Sequence, residues 1–405
     1  MTSIVFYFQV HQPFRLRHYT FFEIGKSRAY FNDTENARIV RRVAAKCYLP
    51  MNALILDLIE RHEGKFRCAY SISGTALTQF EQWSPETLQS FQALAATGGV
   101  EILGETSHHS LAFLADAGEF DAQVLAHRDR IEALFGLQPT TFRNTELVVD
   151  NEIARRVENL GFTGILGEGA DHILGWRSTN RVYRPETCEK LKILLRAYRL
   201  SDDIAFRFSN RDWPEWPLSA DRFADWVRDL PSEDPYAGLF MDYETFGEHQ
   251  WDETGIFDFM RHLPGAILNA GLDFATPAEV IEREDPIARL DIPQPVSWAD
   301  AERDLTAWLG NQMQVAAHEA LYALLPMARA AAAAGRPDLY ETWRRLSTSD
   351  HVYYMCTKWF SDGDVHKYFS PYDTPHDAFI SFMNVIDGLR REMAAVVNAP
   401  AAAAE

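Results

Sequence analysis

Apolar and polar positions along the chain fall into two alternating kinds of segment. Short, nearly continuous apolar runs read as strands covered on both faces. They are Ile4–Val10, Lys65–Ile72, Val100–Leu103, Thr140–Thr145, Gly164–Leu166, Ile193–Leu200 and the run Gly238–Met241. Between them lie stretches of helical period. Pro50 precedes a helix over Met51–Arg61, Ser84 and Pro85 open one that stops at Gly98-Gly99, and others cover Phe120–Phe135, Asp150–Leu160 and about Ala220–Leu230. Strand alternating with helix predicts a parallel sheet with helical crossovers. About seven strands point to an incomplete (β/α)7 barrel of TIM type over residues 1–284. A doubly wound open sheet is the alternative, but no G-x-G-x-x-G turn follows the first strand.

After Glu284 the pattern changes. Pro286, Pro293 and Pro295 punctuate a polar loop, and helical stretches follow near Asn311–Ala334, Pro337–Trp359 and Pro375–Val397. Residues 285–397 are thus expected to form a C-terminal helical bundle domain contributing to the cleft, and 398–405 a frayed tail.

Composition narrows the partners. The chain has 405 residues, with 39 Lys plus Arg against 58 Asp plus Glu and a formal net charge of −19. That balance argues against nucleic acid and anionic membrane as ligands and suits a neutral polymer such as a sugar chain. Cys47, Cys68, Cys188 and Cys356 show no paired spacing and read as small buried side chains. The first residues lack the basic start and long apolar core of a signal peptide, and no window is apolar enough for a membrane helix, so a cytoplasmic enzyme is expected.

Chemistry-bearing residues gather where the strands end. The run Ala237–His249 begins apolar and closes on Asp242, Glu244, Glu248 and His249. Thr140–Leu147 repeats the pattern and carries Arg143, Asn144 and Glu146. Parallel barrels place their active groups at the carboxyl ends of strands, and two carboxyl groups there are the minimum for cleaving a glycosidic bond. If the strands run on, Asp242 and Glu244 share a face and one carboxyl titrates high, while Arg143 and Glu146 point to opposite faces. Each of these residues also has an ordinary reading as a helix-start acid or a solvated turn. His11 ends the first strand ahead of Gln12 and Pro13, and His108-His109 follow the third. Such histidines and acids could alternatively ligate a metal, though no H-E-x-x-H is present. Trp213 and Trp216 beside prolines, and Trp298, Asp300 and Trp308 farther on, are candidates for stacking and hydrogen bonding to sugar rings, or for anchoring the helical part.

In order, five segments resemble the five short regions of glycoside hydrolase family 57, in particular its α-amylase-like group. They are His11–Arg15, Gly99–Leu111, Phe142–Leu147, Phe240–His249 and Ser297–Asp300 with its continuation to Gly310. The resemblance spans about residues 1–315. It implies a retaining hydrolase of α-1,4-glucans, with Glu146 as nucleophile and Asp242 as general acid/base. It also implies that His11, His109 and Trp298 line the cleft, with Asp203 near it; beside them Gln12, Arg143, Glu244, His249, Asp300 and Trp308 are expected to bind substrate. No metal or organic cofactor is implied, and the expected partner is an α-glucan or maltooligosaccharide. Glucanotransferases and branching enzymes of the family, a metal-dependent polysaccharide deacetylase and a non-catalytic glucan-binding protein are the alternatives.

Overall fold

Seven principal strands run in one direction. In the computed structural model, which describes residues 2–358 and 370–399, they are β1 (Ser3–Val10), β2 (Cys68–Ile72), β3 (Val100–Ile102), β4 (Thr141–Arg143), β5 (Gly164–Glu168), β6 (Lys192–Arg196) and β7 (Tyr236–Asp242). One sheet has the order β3-β2-β1-β7, with the short strand Asp273–Phe274 also paired to β1, and a second has the order β4-β5-β6. Every pairing is parallel. Backbone bonds also run from one sheet to the other. Gly104, just past β3, donates to Thr141 O (2.9 Å) and accepts from Arg143 N (2.8 Å), and Ala197 N, just past β6, donates to Gly238 O on β7 (2.8 Å). The chain is therefore an α/β protein whose strands share one carboxyl end.

The sequence explains why these runs are strands. β1 is buried at all eight positions, so it needs cover on both faces and finds it among β-branched and aromatic neighbours. Side chains from alternate strand positions meet in one apolar cluster that includes Val5, Tyr7, Leu103, Leu166, Leu194 and Phe240, with Trp298 packed at its margin. Gly238 stands on β7 where an added Cβ would lie 2.5 Å from Leu195 O, so the close approach of β6 to β7 admits no side chain.

Two compact units divide the chain. The first comprises Met1–Gln12, Arg38–Ser107 and Asp121–Asp304; the second comprises Pro13–Ala37, His108–Phe120 and Leu305–Glu405. The expected division near residue 284 is drawn differently here. Residues 285–304 stay with the strands because Val296 pairs with Val149 through two backbone bonds of 3.0 Å, and two short stretches from the N-terminal half join the helices.

The second unit is helical, with helices at Gln312–Ala323, Leu325–Ala333, Pro337–Leu346, Ser349–Tyr353 and Pro375–Val397. The helical stretch expected near 311–334 is two helices parted at Leu324, where Pro326 falls in the first turn of the second, a position that suits proline better than a helix interior. Its centre holds the fully buried Trp343, whose indole donates to Leu321 O at 2.8 Å, and a buried Glu119 paired to Arg344 at 2.8 Å. Trp359 and residues 400–405 lie outside the described residues.

Several predicted ends shift for local reasons. The strand expected to reach Thr145 stops at Arg143, because Glu146 and Leu147 take left-handed backbone. The one expected to reach Leu200 stops at Arg196, and Tyr198–Asp202 is a short helix. A helix at Asp33–Val43, with acids in its first turn and arginines in its last, was not anticipated, nor was the π turn Ala44–Tyr48 that follows.

Candidate active site

β7 delivers the first carboxylate. Its register sets Asp242 opposite Gln9 of β1, half-buried at the point where the strand ends. The chain then turns through Tyr243–Thr245, so Asp242 and Glu244 do not share a strand face as the two-residue spacing suggested. Tyr243 is buried and donates to Asn52 Oδ1 at 2.7 Å, which fixes the turn behind Asp242. Glu244 turns inward as well. It accepts from the Tyr48 hydroxyl and from Gln12 Nε2 at 3.4 Å. Burial, reinforced by the charge of Asp242, pushes the Glu244 carboxyl up to about 8. The acid of raised affinity for protons predicted here exists, but it is Glu244, and desolvation is the main cause.

β4 delivers the second. After Arg143 the backbone runs into a tight turn in which Glu146 (φ 57°, ψ 29°) and Leu147 (φ 53°) are both left-handed. Such a conformation costs roughly 1–2 kcal/mol per residue without glycine. It persists because its neighbours fix it. Leu147 is fully buried, Asn144 Nδ2 donates to Val148 O at 3.0 Å, and Trp298 N donates to Glu146 O at 3.3 Å. The Trp298 indole then donates from Nε1 to Glu146 Oε2 at 2.8 Å. Glu146 is only 5 % exposed, so its carboxylate is aimed by that bond rather than left to solvent. Backbone strain at a buried, aimed carboxylate is the pattern of a functional group.

Arg143 occupies the floor between these elements. It is fully buried, and none of its three guanidinium nitrogens has a hydrogen-bond partner among the described residues. Two rings face it instead. The guanidinium carbon lies 4.7 Å from the centre of the Trp298 ring and 6.0 Å from that of Tyr7. Cation–π contacts of this kind recover about 2 kcal/mol when desolvated, less than an unpaired buried charge costs. Burial pushes the Tyr7 hydroxyl up, Arg143 opposes that shift, and Glu105 and Asp242 add to it. Arg143, Glu105 and Asp242 therefore all act on one phenol. That phenol donates to Gln9 Oε1 at 2.7 Å.

A second arginine completes the frame. Arg196, at the end of β6, donates from Nε to Phe240 O at 2.8 Å, two residues before Asp242, and its guanidinium lies 5.9 Å from the Trp298 ring centre. Glu168 (3.3 Å) and Asp202 (2.5 Å) pair with it. Trp298 thus binds Glu146 by its N–H while its ring faces two cations, one of which holds the strand that carries Asp242.

The remaining predicted residues distribute as follows. His11 Nδ1 lies 2.7 Å from Ser73 Oγ, and Gln12 bridges Tyr48 and Glu244. His249 hydrogen-bonds through its backbone to Glu244 O at 3.0 Å. Asp203 forms an ion pair with Arg207 at 2.6 Å, so it is its neighbour Asp202 that reaches Arg196. Asp300 takes a left-handed conformation in the loop after Trp298. His109 and Trp308 belong to the second unit, where His109 O accepts from Ser349 N at 2.9 Å. Trp308 is fully buried against Tyr353, with ring centres 6.0 Å apart; it offers no face to a ligand, and its expected role in stacking is corrected to packing.

Sequence reasoning missed Tyr7, Tyr48, Arg196 and the pair Glu105–His127. Tyr7, a polar-tipped ring within the apolar run of β1, and Arg196, a charge ending the apolar run of β6, carried a signal. His127 carried none. It lies mid-helix, accepts from Glu105 N at 3.2 Å and donates to Ile72 O at 2.9 Å, tying the ends of β2 and β3. Burial holds it neutral. Among the described residues no group of three or more His, Cys, Asp or Glu is arranged to hold a metal ion.

Comparison with known proteins now bears on the arrangement. Residues 5–293 match the family model of glycosyl hydrolase family 57. The chain belongs to that family. A protein of Methanocaldococcus jannaschii described as "Putative alpha-amylase" is 41% identical over 397 residues, covering 95% of this chain and 83% of its own length. Among solved structures, a 4-α-glucanotransferase of Thermococcus litoralis superposes with a TM-score of 0.70 at 15% identity, over 96% of this chain and 60% of that one. An α-amylase of Thermotoga maritima does so with a TM-score of 0.60 at 12% identity, over 97% and 95%. At such identities these structures speak for the fold alone. This family 57 member is a glycoside hydrolase of α/β architecture.

Proposed function

We propose that the protein hydrolyses α-1,4-glucans with retention of anomeric configuration, Glu146 acting as nucleophile and Asp242 as general acid/base. The observation that carries this reading is that β4 and β7 run in the same direction through the parallel order β4-β3-β2-β1-β7, so Glu146 and Asp242 follow the same strand ends; Glu146 is tied through Trp298 and Arg143 to Tyr7, whose hydroxyl feels the charge of Asp242. The name of the M. jannaschii relative supports the choice of an amylase-like substrate. The two backbone links, β3 to β4 and β6 to β7, support reading the seven strands as an incomplete barrel.

The groups suit the steps. Glu146, held by the Trp298 indole, attacks the anomeric carbon and forms a glycosyl ester as Asp242 protonates the departing oxygen. Asp242 then takes a proton from water, which adds to the same carbon and releases Glu146. This double displacement asks for carboxyl groups about 5–5.5 Å apart. Arg143 stabilises negative charge on the pair, and Glu244, protonated at neutral pH, spares Asp242 a second negative charge beside it.

Incubating the protein with maltoheptaose and resolving the products tests the reading. Shorter maltooligosaccharides should accumulate, and Glu146→Gln should lower the rate at least about 1,000-fold. Intact maltoheptaose after prolonged incubation, or full activity in the variant, contradicts it.

A further inference from the structure

The loop that begins at Asp242 ends on the outside of the first unit at Trp251. The residue is 55 % exposed, yet its indole Nε1 donates to Glu248 O at 3.0 Å, so the ring is pinned by one edge. Glu248 is itself buried and paired to Arg42 at 3.2 Å, which anchors the turn from behind. Facing the ring is the π turn Ala44–Tyr48, where Lys46 Nζ lies 5.8 Å from the ring centre. A cleft of about 590 Å³ opens here, lined by Lys46, Pro50, Trp251, Glu253, Phe257 and Arg261 among others. Small-molecule sites span about 300–1,000 Å³, so the space is ample for a short oligosaccharide.

The walls are fixed by the fold. Gly247 has φ 114°, and a Cβ built on it would lie 2.1 Å from Lys46 O, so the loop backbone presses directly on the π turn. Backbone bonds Gly247 N to Gln250 O (2.8 Å) and Gln250 N to Thr245 O (2.9 Å) close the loop on itself, and Gln250 Nε2 reaches Ala205 O at 2.9 Å. An aromatic ring held open to solvent by such bracing is preorganised for a ligand.

The chemistry of the cleft selects the ligand. Trp251 and Phe257 offer apolar ring surface, Lys46 and Arg261 offer donors, and Glu253 accepts. Pyranose rings present one apolar C–H face and a rim of hydroxyls that both donate and accept. A formal net charge of −19 opposes the polyanions that two cations alone would attract. We propose that this cleft is a second glucan-binding site, separate from the carboxylates, that holds an α-glucan chain while another part of it is cut. The proposal rests on the reading of the substrate as an α-glucan.

Affinity electrophoresis in native gels cast with and without amylopectin tests it, using Glu146→Gln to prevent turnover. The Glu146→Gln protein is retarded by the polysaccharide; adding Trp251→Ala weakens the apparent affinity about 3-fold or more, whereas Trp251→Phe retains most of it. Melting temperatures of the variants without sugar verify that each is folded. Equal retardation with and without Trp251, or no retardation of Glu146→Gln at all, overturns the second site. The wild-type products from maltoheptaose report separately on the substrate, so a cutting enzyme with Trp251-independent retardation refutes this site alone.

Discussion

The indole of Trp298 donates a hydrogen bond to the carboxylate of Glu146 across 152 positions of sequence, at 2.8 Å. The same tryptophan binds the Glu146 carbonyl through its backbone N–H and lays its ring 4.7 Å from the buried Arg143 guanidinium. One side chain thus sets the position of the proposed nucleophile and seats the cation beneath it.

Removing only the N–H tests that role. Trp298→Phe keeps an aromatic face for Arg143 and deletes the donor. A hydrogen bond to a charged group contributes about 1.5–3 kcal/mol, so kcat/KM should fall roughly 10- to 150-fold with the melting temperature little changed. Steady-state kinetics on maltooligosaccharides check this; unaltered kcat/KM means the bond does not position Glu146.

Arg143 is costly to the fold. A fully buried guanidinium without hydrogen-bond partners among the described residues should be replaceable with a gain in stability. Arg143→Met is expected to raise the melting temperature while lowering kcat at least about 10-fold, as charge stabilisation of the carboxylates is lost. A variant that melts lower and remains fully active assigns Arg143 to structure.

Glu244 makes stability depend on pH. Its carboxyl ordinarily titrates near 4.5 and is pushed up to about 8 by burial and then by Asp242. Between those values the unfolded chain has released the proton and the folded chain retains it. Stability therefore falls as pH rises through this window and levels off above it. Glu244→Gln removes the dependence. Denaturant titrations of both proteins at pH 5 and pH 8.5 should show the variant gaining on the wild type by a few kcal/mol at the higher pH. Parallel pH profiles contradict the assignment.

Much of this was legible in the chain because strands buried on both faces announce themselves as apolar runs, and because a charged residue ending such a run is conspicuous. β1 and β7 lie where their Ile, Val, Phe and Leu content put them, and Pro375–Val397 is a helix over its whole predicted length. What escaped was set by distant contacts. Nothing local in Phe142–Leu147 shows that Glu146 and Leu147 turn left-handed, since Trp298 and the core hold them so. The pairing of Glu244 with Tyr48 depends on a π turn that no periodicity marks, and it replaced the expected sharing of a strand face by Asp242 and Glu244. Trp308 read as a candidate platform because it follows the polar loop that carries Trp298 and Asp300; only packing against Tyr353 distinguishes it.

Covalent trapping addresses the central claim most directly. A 5-fluoro-α-glucosyl fluoride forms the glycosyl-enzyme and slows its breakdown, leaving the sugar on the nucleophile. Peptide mass mapping after brief exposure should find one added fluoroglucosyl group on the peptide containing Glu146, and none in Glu146→Gln. An adduct on any other residue, or none under conditions in which the fluoride is consumed, contradicts a retaining mechanism through Glu146.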